Sequence, residues 1–319
     1  MRLAFLFPGQ GAQAVGMGRA LAEAFPEARD AFDTADRVLG FGLARLCWEG
    51  PAEELKKSVV TQPALLAHSV AAWRLAEAAG LRPTWTAGHS LGEYSACVAA
   101  GAMDYEDALR LVHRRGDLMY RAGLERPGAM AAILGLDRAG VEAACAEAAA
   151  AGTVVPANLN APGQVVVSGE PAAVERACEA AKARGAKRAI RLEVSGAFHS
   201  PLMASAAAGL AEALDGTPVR DARCPVVCNV EARPVQRADE IRAALGAQLL
   251  GAVRWEDSMR RLRADGCEGF VELGTGRVLR GLLRAIDREA PAWNIEDPAS
   301  FEETRAALGA GSPAAGGGA

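Results

Sequence analysis

The chain has 319 residues, half of them hydrophobic and 23% charged, so it can bury a sizeable core without disulfide or metal staples. Its net charge of −4 excludes a broadly basic nucleic-acid binder, and no run approaches the roughly 18 apolar residues of a membrane span. Seven scattered cysteines, with no CxxC and no histidine beside the Cys224–Cys228 pair, argue against a zinc site and for a reduced, cytoplasmic setting.

In chain order, residues 2–7 (RLAFLF) read as a buried strand closed by Pro8-Gly9. The start is too short in apolar residues for a signal peptide. Helices are expected at 17–25 and 27–39, broken at Pro26, and at 62–79, with Thr61 as cap and Pro63 in the first turn. A strand at 84–87 then enters Gly88-His89-Ser90-Leu91-Gly92, and helices follow to about Ala100 and from Asp104 to Met119.

Residues 128–191 change rhythm. A strand at 129–134, a helix at 138–150, strands at 153–158 and 164–168, a helix at 171–184 and a strand at 187–192 give the order βαββαβ, a ferredoxin-like pattern. A strand at 224–230 returns the chain to the first body. Helices near 238–249 and 255–264, a strand at 268–272 and a helix ending about Ile286 complete it. The small-residue tail 309–319 reads as disordered.

Four features carry chemistry. GHSLG at 88–92 puts a serine in a strand-to-helix turn, where small neighbours lift the hydroxyl and the next helix aims N–H groups at a developing oxyanion. The same five letters could arise incidentally in a glycine-rich chain. Serine needs a base, and four histidines exist. His89 should point away across the turn, His68 fits a packing role, and His113 fits a helix surface. His199 stands in a glycine-containing loop, VSGAFHSP, where a catalytic or a plain turn histidine would both fit.

Arg115 is the third feature. It falls on the apolar stripe Ala108, Leu111, Val112 and Met119, where a buried cation needs an anion: an internal carboxylate or a substrate carboxylate held by its fork. The fourth is FPGQGAQ at 7–13, which places Gln10 at a strand end as an oxyanion-hole or orienting amide, or as a polar loop residue. Read as a dinucleotide fingerprint it lacks its third glycine.

Eight segments occur in order: FPGQGAQ, TQPALL (61–66), GHSLGEYSA (88–96), Arg115-Gly116, GAMAAILG (128–135), ANLNAPGQVVVSG (157–169), GAFHSPLM (196–203) and QLLGAVRW (248–255). The series resembles the malonyl-CoA:acyl carrier protein transacylases of fatty-acid synthesis over roughly residues 1–290. The resemblance implies an α/β fold, with an α/β-hydrolase-like body of mostly parallel sheet from 1–126 and 196–308 and an inserted ferredoxin-like subdomain at 127–195. It implies Ser90 as nucleophile, His199 as base oriented by the Gln248 carbonyl, Gln10 and the Leu91 N–H as oxyanion hole, and Arg115 as partner of the malonyl carboxylate. Asn160, Gln62 and Met119 fall at positions that line or support the pocket.

Malonyl-CoA and an acyl carrier protein are the implied partners, with no nucleic acid or membrane, no cofactor or metal, and a monomeric state. Phe198 before His199 matches the malonyl-selective pattern. Tyr120, Ala252 and Thr275 depart from the family's usual Gln, Pro and Pro. An esterase or thioesterase would share the serine turn, and a polyketide-type acyltransferase acting in trans would share the whole mechanism. For docking an acidic carrier, Lys182, Arg184, Lys187 and Arg188, or Arg280 and Arg284, offer local positive charge.

Overall fold

The computed structural model describes residues 1–311. Their larger sheet has six strands in the order β10 (Ala292–Ile295), β9 (Gly269–Leu273), β1 (Leu3–Phe7), β2 (Trp85–Gly88), β7 (Val226–Val227) and β8 (Pro234–Val235). Every neighbouring pair is parallel except β7 with β8. In β1 the two faces alternate, as period-2 geometry requires. Leu3, Phe5 and Phe7 enter one apolar cluster and Ala4 and Leu6 enter another. A strand covered on both sides reads as an unbroken hydrophobic run, which is why 2–7 was recognisable.

Helices α1 (Arg19–Ala24), α2 (Pro26–Leu39), α3 (Leu43–Glu49), α4 (Ala52–Leu55), α5 (Ser58–Ala78), α6 (Gly92–Ala99) and α7 (Tyr105–Glu125) precede the smaller sheet. Pro26 takes the first helical position of α2, so α1 and α2 part there as expected. The expected start of α5 is corrected by four residues. It begins at Ser58, Pro63 lies inside it, and the Thr61 hydroxyl donates to the Leu55 carbonyl instead of capping. Burial explains this: nearly all of α5 is packed on every side, and tertiary packing outweighs the local proline signal. α7 runs on to Glu125, six residues beyond the expected end.

The smaller sheet has the order β4 (Val154–Ala161), β5 (Gln164–Gly169), β3 (Ala129–Leu134) and β6 (Arg188–Arg191), antiparallel throughout. With α8 (Arg138–Ala148) and α9 (Pro171–Ala183) it forms the ferredoxin-like βαββαβ unit. Ala129, Ala131 and Ile133 pack with both helices, while Met130 and Val166 on alternate positions, and Ala157 at a register shift in β4, join the core of the larger body. The backbone ties the smaller sheet to the rest of the body through Val253: Val253 N–H donates to the Ala157 carbonyl, and Leu159 N–H donates to the Val253 carbonyl, both at 2.8 Å.

Helices α10 (Ala204–Asp215), α11 (Ala238–Gln248), α12 (Trp255–Ala264), α13 (Val278–Ile286) and α14 (Pro298–Ala307) complete the described chain. The strand expected over 224–230 is only Val226–Val227, after which Ala232, at φ 55°, turns the chain into β8. Of the tail expected to be disordered, Gly309 and Ala310 close the end of α14 through bonds to the Ala306 and Arg305 carbonyls. Residues 312–319 lie outside the described residues.

Candidate active site

β1 and β2 end side by side, with Phe7 opposite Gly88. Their following loops, one bearing Gln10 and the other Ser90, therefore meet at the sheet's carboxyl edge, where open α/β sheets bind ligands. The serine turn is sterically tight. A Cβ on Gly88 would lie 1.9 Å from the Gly92 carbonyl, and one on Gly92 would lie 2.0 Å from the Phe7 carbonyl oxygen. Ser90 itself adopts φ 51°, a left-handed conformation that costs a side-chain-bearing residue ~1–3 kcal/mol unless its surroundings fix it.

Polar contacts fix it here. The Ser90 N–H donates to Asn229 Oδ1 at 2.7 Å, Asn229 Nδ2 donates to the Gly88 carbonyl at 2.7 Å, and Gln248 Nε2 donates to the Ser90 carbonyl at 2.9 Å. Asn229 was not recognised in the sequence. Its signal was its place just past a strand end on the sheet's carboxyl side.

Ser90 Oγ lies 2.8 Å from His199 Nε2. His199 is buried, at φ 58°, and its Nδ1 lies 2.9 Å from the Gln248 carbonyl and 3.1 Å from that of Gly251. Carbonyl oxygens only accept, so Nδ1 carries the proton and Nε2 presents its lone pair to the serine. Burial, with Arg115 adding, pushes the His199 pKa down to about 3. The ring is therefore neutral at physiological pH.

Arg115 is 1% exposed and lies on the inward stripe of α7. Its Nη1 donates to Gln62 Oε1 at 2.8 Å, and its Nη2 donates to Gln248 Oε1 at 2.8 Å and to Ser90 Oγ at 3.2 Å. The guanidinium carbon also sits 5.3 Å from the centre of the Tyr94 ring. Its immediate acceptors are thus neutral amides and the serine hydroxyl, so the internal carboxylate partner is not in direct contact. Gln62 Nε2 in turn contacts Met119 Sδ at 3.2 Å. Burial lowers the Arg115 pKa, and the first opposing influences are Tyr94 and Glu93.

The Gln10 side chain is engaged with Ser58: Nε2 lies 3.1 Å and Oε1 3.3 Å from the Ser58 hydroxyl. The main-chain N–H groups of Gln10 and of Leu91 have no acceptor among the described residues. Asn160 pairs with His89, Oδ1 to Nε2 at 2.8 Å, and the His89 ring lies tilted against Trp255. His89 makes no side-chain hydrogen bond to Ser90 among the described residues, although it lines the same cavity.

His68 is enclosed between the Thr275 hydroxyl and the Glu296 carbonyl, with its pKa pushed down to about 4 by burial, a packing role. His113, expected at the surface, is half-buried beside Phe41 because α7 is flanked there by the loop before α3. Thr275, one of the three departures, is therefore taken up by His68. Tyr120 and Ala252 are half-exposed.

The nucleophile opens into a cavity of about 300 Å³ between the two sheets, lined by Gln10, Ser90, Met119, Met130, Phe198 and His199. An adjoining hollow of about 220 Å³ runs past Asn158 and Asn160 to Leu279 and Leu282 on α13. The described residues contain no group of three or more His, Cys, Asp or Glu arranged to hold a metal ion.

A serine hydroxyl, a neutral imidazole and a buried cation around one cavity can carry out acyl transfer. The chain belongs to the acyl transferase domain family, which matches residues 4–290. It is 46% identical over 302 residues to the malonyl CoA-acyl carrier protein transacylase of Bacillus subtilis strain 168, covering 94% of this chain and 95% of that protein. The Escherichia coli K12 protein of the same name is 46% identical over 301 residues, with 94% and 97% coverage. Among solved structures, a malonyl-transacylase in complex with its type II polyketide synthase acyl carrier protein, in the holo form, superposes with a TM-score of 0.93 at 46% identity, covering 96% of this chain and 100% of that one.

Proposed function

We propose that the chain moves a malonyl group from malonyl-CoA to the phosphopantetheine thiol of an acyl carrier protein, supplying extender units for fatty-acid synthesis. The observation that carries this reading is Arg115: a buried guanidinium placed 3.2 Å from the nucleophile, with no carboxylate among the described residues bonded to its fork. An acyl chain ending in a carboxylate would complete it. A simple esterase has no use for such a group.

His199 Nε2 takes the Ser90 proton as Oγ attacks the thioester carbon. The oxyanion lies against the Gln10 and Leu91 N–H groups; removal of one such donor typically costs ~2.7–4 kcal/mol of transition-state stabilisation. The tetrahedral intermediate collapses, His199 Nε2 passes the proton to the departing sulfur so that coenzyme A leaves as its thiol, and malonyl-Ser90 remains with His199 neutral again. The carrier thiol then enters, gives its proton to His199 and attacks the ester. Collapse returns the proton to Ser90 and releases malonyl-carrier, a ping-pong cycle. The acyl donor and the carrier bring all the chemistry required, so no resident cofactor or metal is proposed.

Of its five N–H donors, Arg115 commits two to the amide oxygens of Gln62 and Gln248. It therefore keeps donors for the malonyl carboxylate. Phe198 closes the cavity beside His199 and supports a preference for malonyl over bulkier branched chains. The seven free cysteines support a cytoplasmic location, and among the described residues no helix is long and apolar enough to cross a membrane. A monomer remains our expectation.

Transfer and hydrolysis separate in one measurement. Protein loaded with malonyl-CoA is mixed with holo carrier, and malonyl-carrier and free malonate are quantified. Transfer predicts malonyl-carrier as the main product. Free malonate formed at the same rate with or without carrier would make the protein a thioesterase.

A further inference from the structure

The acyl-transfer steps give Glu93 no task, yet it is 1% exposed in the first turn of α6 and makes no direct ion pair among the described residues. Its Oε2 accepts from Gln248 Nε2 at 2.6 Å and from the Asn229 N–H at 3.3 Å. The other end of the Gln248 amide, Oε1, accepts from Arg115 Nη2 at 2.8 Å. A primary amide donates at one end and accepts at the other. Turned over, this one would set its oxygen against the Glu93 carboxylate and the Ser90 carbonyl, and its NH₂ against the guanidinium. The network therefore assigns the amide orientation, and the carboxylate, which only accepts when ionised, is the strongest element in that choice. Glu93 also places a negative charge one amide away from the buried guanidinium. A carboxylate in direct contact would fill the fork that the substrate needs; at this remove it stabilises the cation and leaves the donors free.

We propose that Glu93 is a positioning residue that acts through the Gln248 side-chain amide to hold the Arg115 fork turned toward the incoming acyl group, and so sets the preference for a carboxylate-bearing acyl chain over an uncharged one. The proposal deepens the malonyl-transfer reading and rests on it.

The groups that face Glu93 are Arg115 from α7, Tyr94 and Cys97 on its own helix, Gln248 from α11, and Cys228 and Asn229 from the end of β7. Burial raises Tyr94 and both thiols away from neutrality, and Arg115 keeps its charge. His199 is held far below neutral pH. Burial pushes Glu93 itself up to about 7, against the hydrogen bonds from Gln248 and Asn229. Its anion, and with it the charge-assisted bond that anchors the Gln248 amide, thus predominates above that value and is lost below it.

The test compares rates of Ser90 acyl-enzyme formation from malonyl-CoA and acetyl-CoA by intact mass, for the wild type and Glu93→Gln, at several pH values. For the wild type, the malonyl-to-acetyl ratio is expected to rise at least about fivefold between about pH 6 and about pH 8, a coupling of ordinary size. In Glu93→Gln the ratio is low and flat over that range, and KM for malonyl-CoA rises more than kcat falls. A flat wild-type ratio overturns the proposal whether or not the variant folds, as does a variant that keeps the wild-type ratio and its slope. A wild type that takes no malonyl on Ser90 at any pH would defeat the functional reading itself, a separate outcome.

Discussion

At the scale of single residues, the site joins two strained conformations to one cation. Ser90 and His199 both hold positive φ, and each is held by partners far away in sequence: the Asn229 and Gln248 side chains on the serine backbone, and the Gln248 and Gly251 carbonyls on the histidine ring. Gln248 serves both and also meets Arg115. Removing Arg115 therefore has two consequences: it deletes the malonyl carboxylate's partner and leaves the Gln62 and Gln248 oxygens without a donor. Arg115→Ala is expected to reduce malonyl acyl-enzyme formation by the ~3–5 kcal/mol typical of breaking a desolvated charge pair, and to raise acetyl loading relative to malonyl. Rates measured with both thioesters check it. Malonyl loading at the wild-type rate would contradict the carboxylate role.

Ser90 and the inward Arg115 were legible because their signals are local: a glycine-flanked turn, and a charge on an apolar helical stripe. His199 was narrowed from four candidates by its loop, and its assignment as base came from the family resemblance. Asn229 and Glu93 were not read as part of the site. Their meaning lies in contacts across 139 and 155 residues, and no spacing rule reports such pairs.

At the scale of elements, the serine turn works because two chain segments nearly touch. Gly88 has no room for a side chain, since a Cβ would sit 1.9 Å from the Gly92 carbonyl and 2.3 Å from the Glu93 nitrogen. Gly281, exposed in the middle of α13, has nothing within 4 Å of the same position. Gly88→Ala is expected to lose at least ~2 kcal/mol of stability through overpacking, together with activity. Gly281→Ala is expected to gain up to ~1 kcal/mol from helix propensity. Urea unfolding of both variants measures the contrast. Equal and small shifts would mean the elbow is looser than its geometry states. Most elements were legible from period and punctuation; β3 and α12 match their expected bounds. The exceptions have separate causes. α5 starts early because it is packed on nearly every side, and β7 is short because a turn over residues 228–233, with Ala232 at φ 55°, leads straight into β8.

At the scale of the whole molecule, the smaller sheet and the loops at the larger sheet's carboxyl edge line the active-site cavity together, and β4 is stitched to Val253 at its edge. Met130 and Val166 extend the core from the smaller sheet toward the body, so the subdomain forms one wall of the cavity. α13 flanks the adjoining hollow through Leu279 and Leu282, and it carries Arg280 and Arg284 beside a second depression that also includes Arg288. On the other side, Arg184 is tied to Glu147 at 2.7 Å. The net charge of −4 thus conceals a local positive surface beside the cleft.

The central claim is that malonyl passes through Ser90. Intact mass of the protein mixed with malonyl-CoA tests it most directly, for the wild type and for Ser90→Ala. The account predicts an adduct of about +86 Da on the wild type, a malonyl group replacing one proton, its loss when holo carrier is added, and no adduct on Ser90→Ala. An adduct that persists on Ser90→Ala would contradict it.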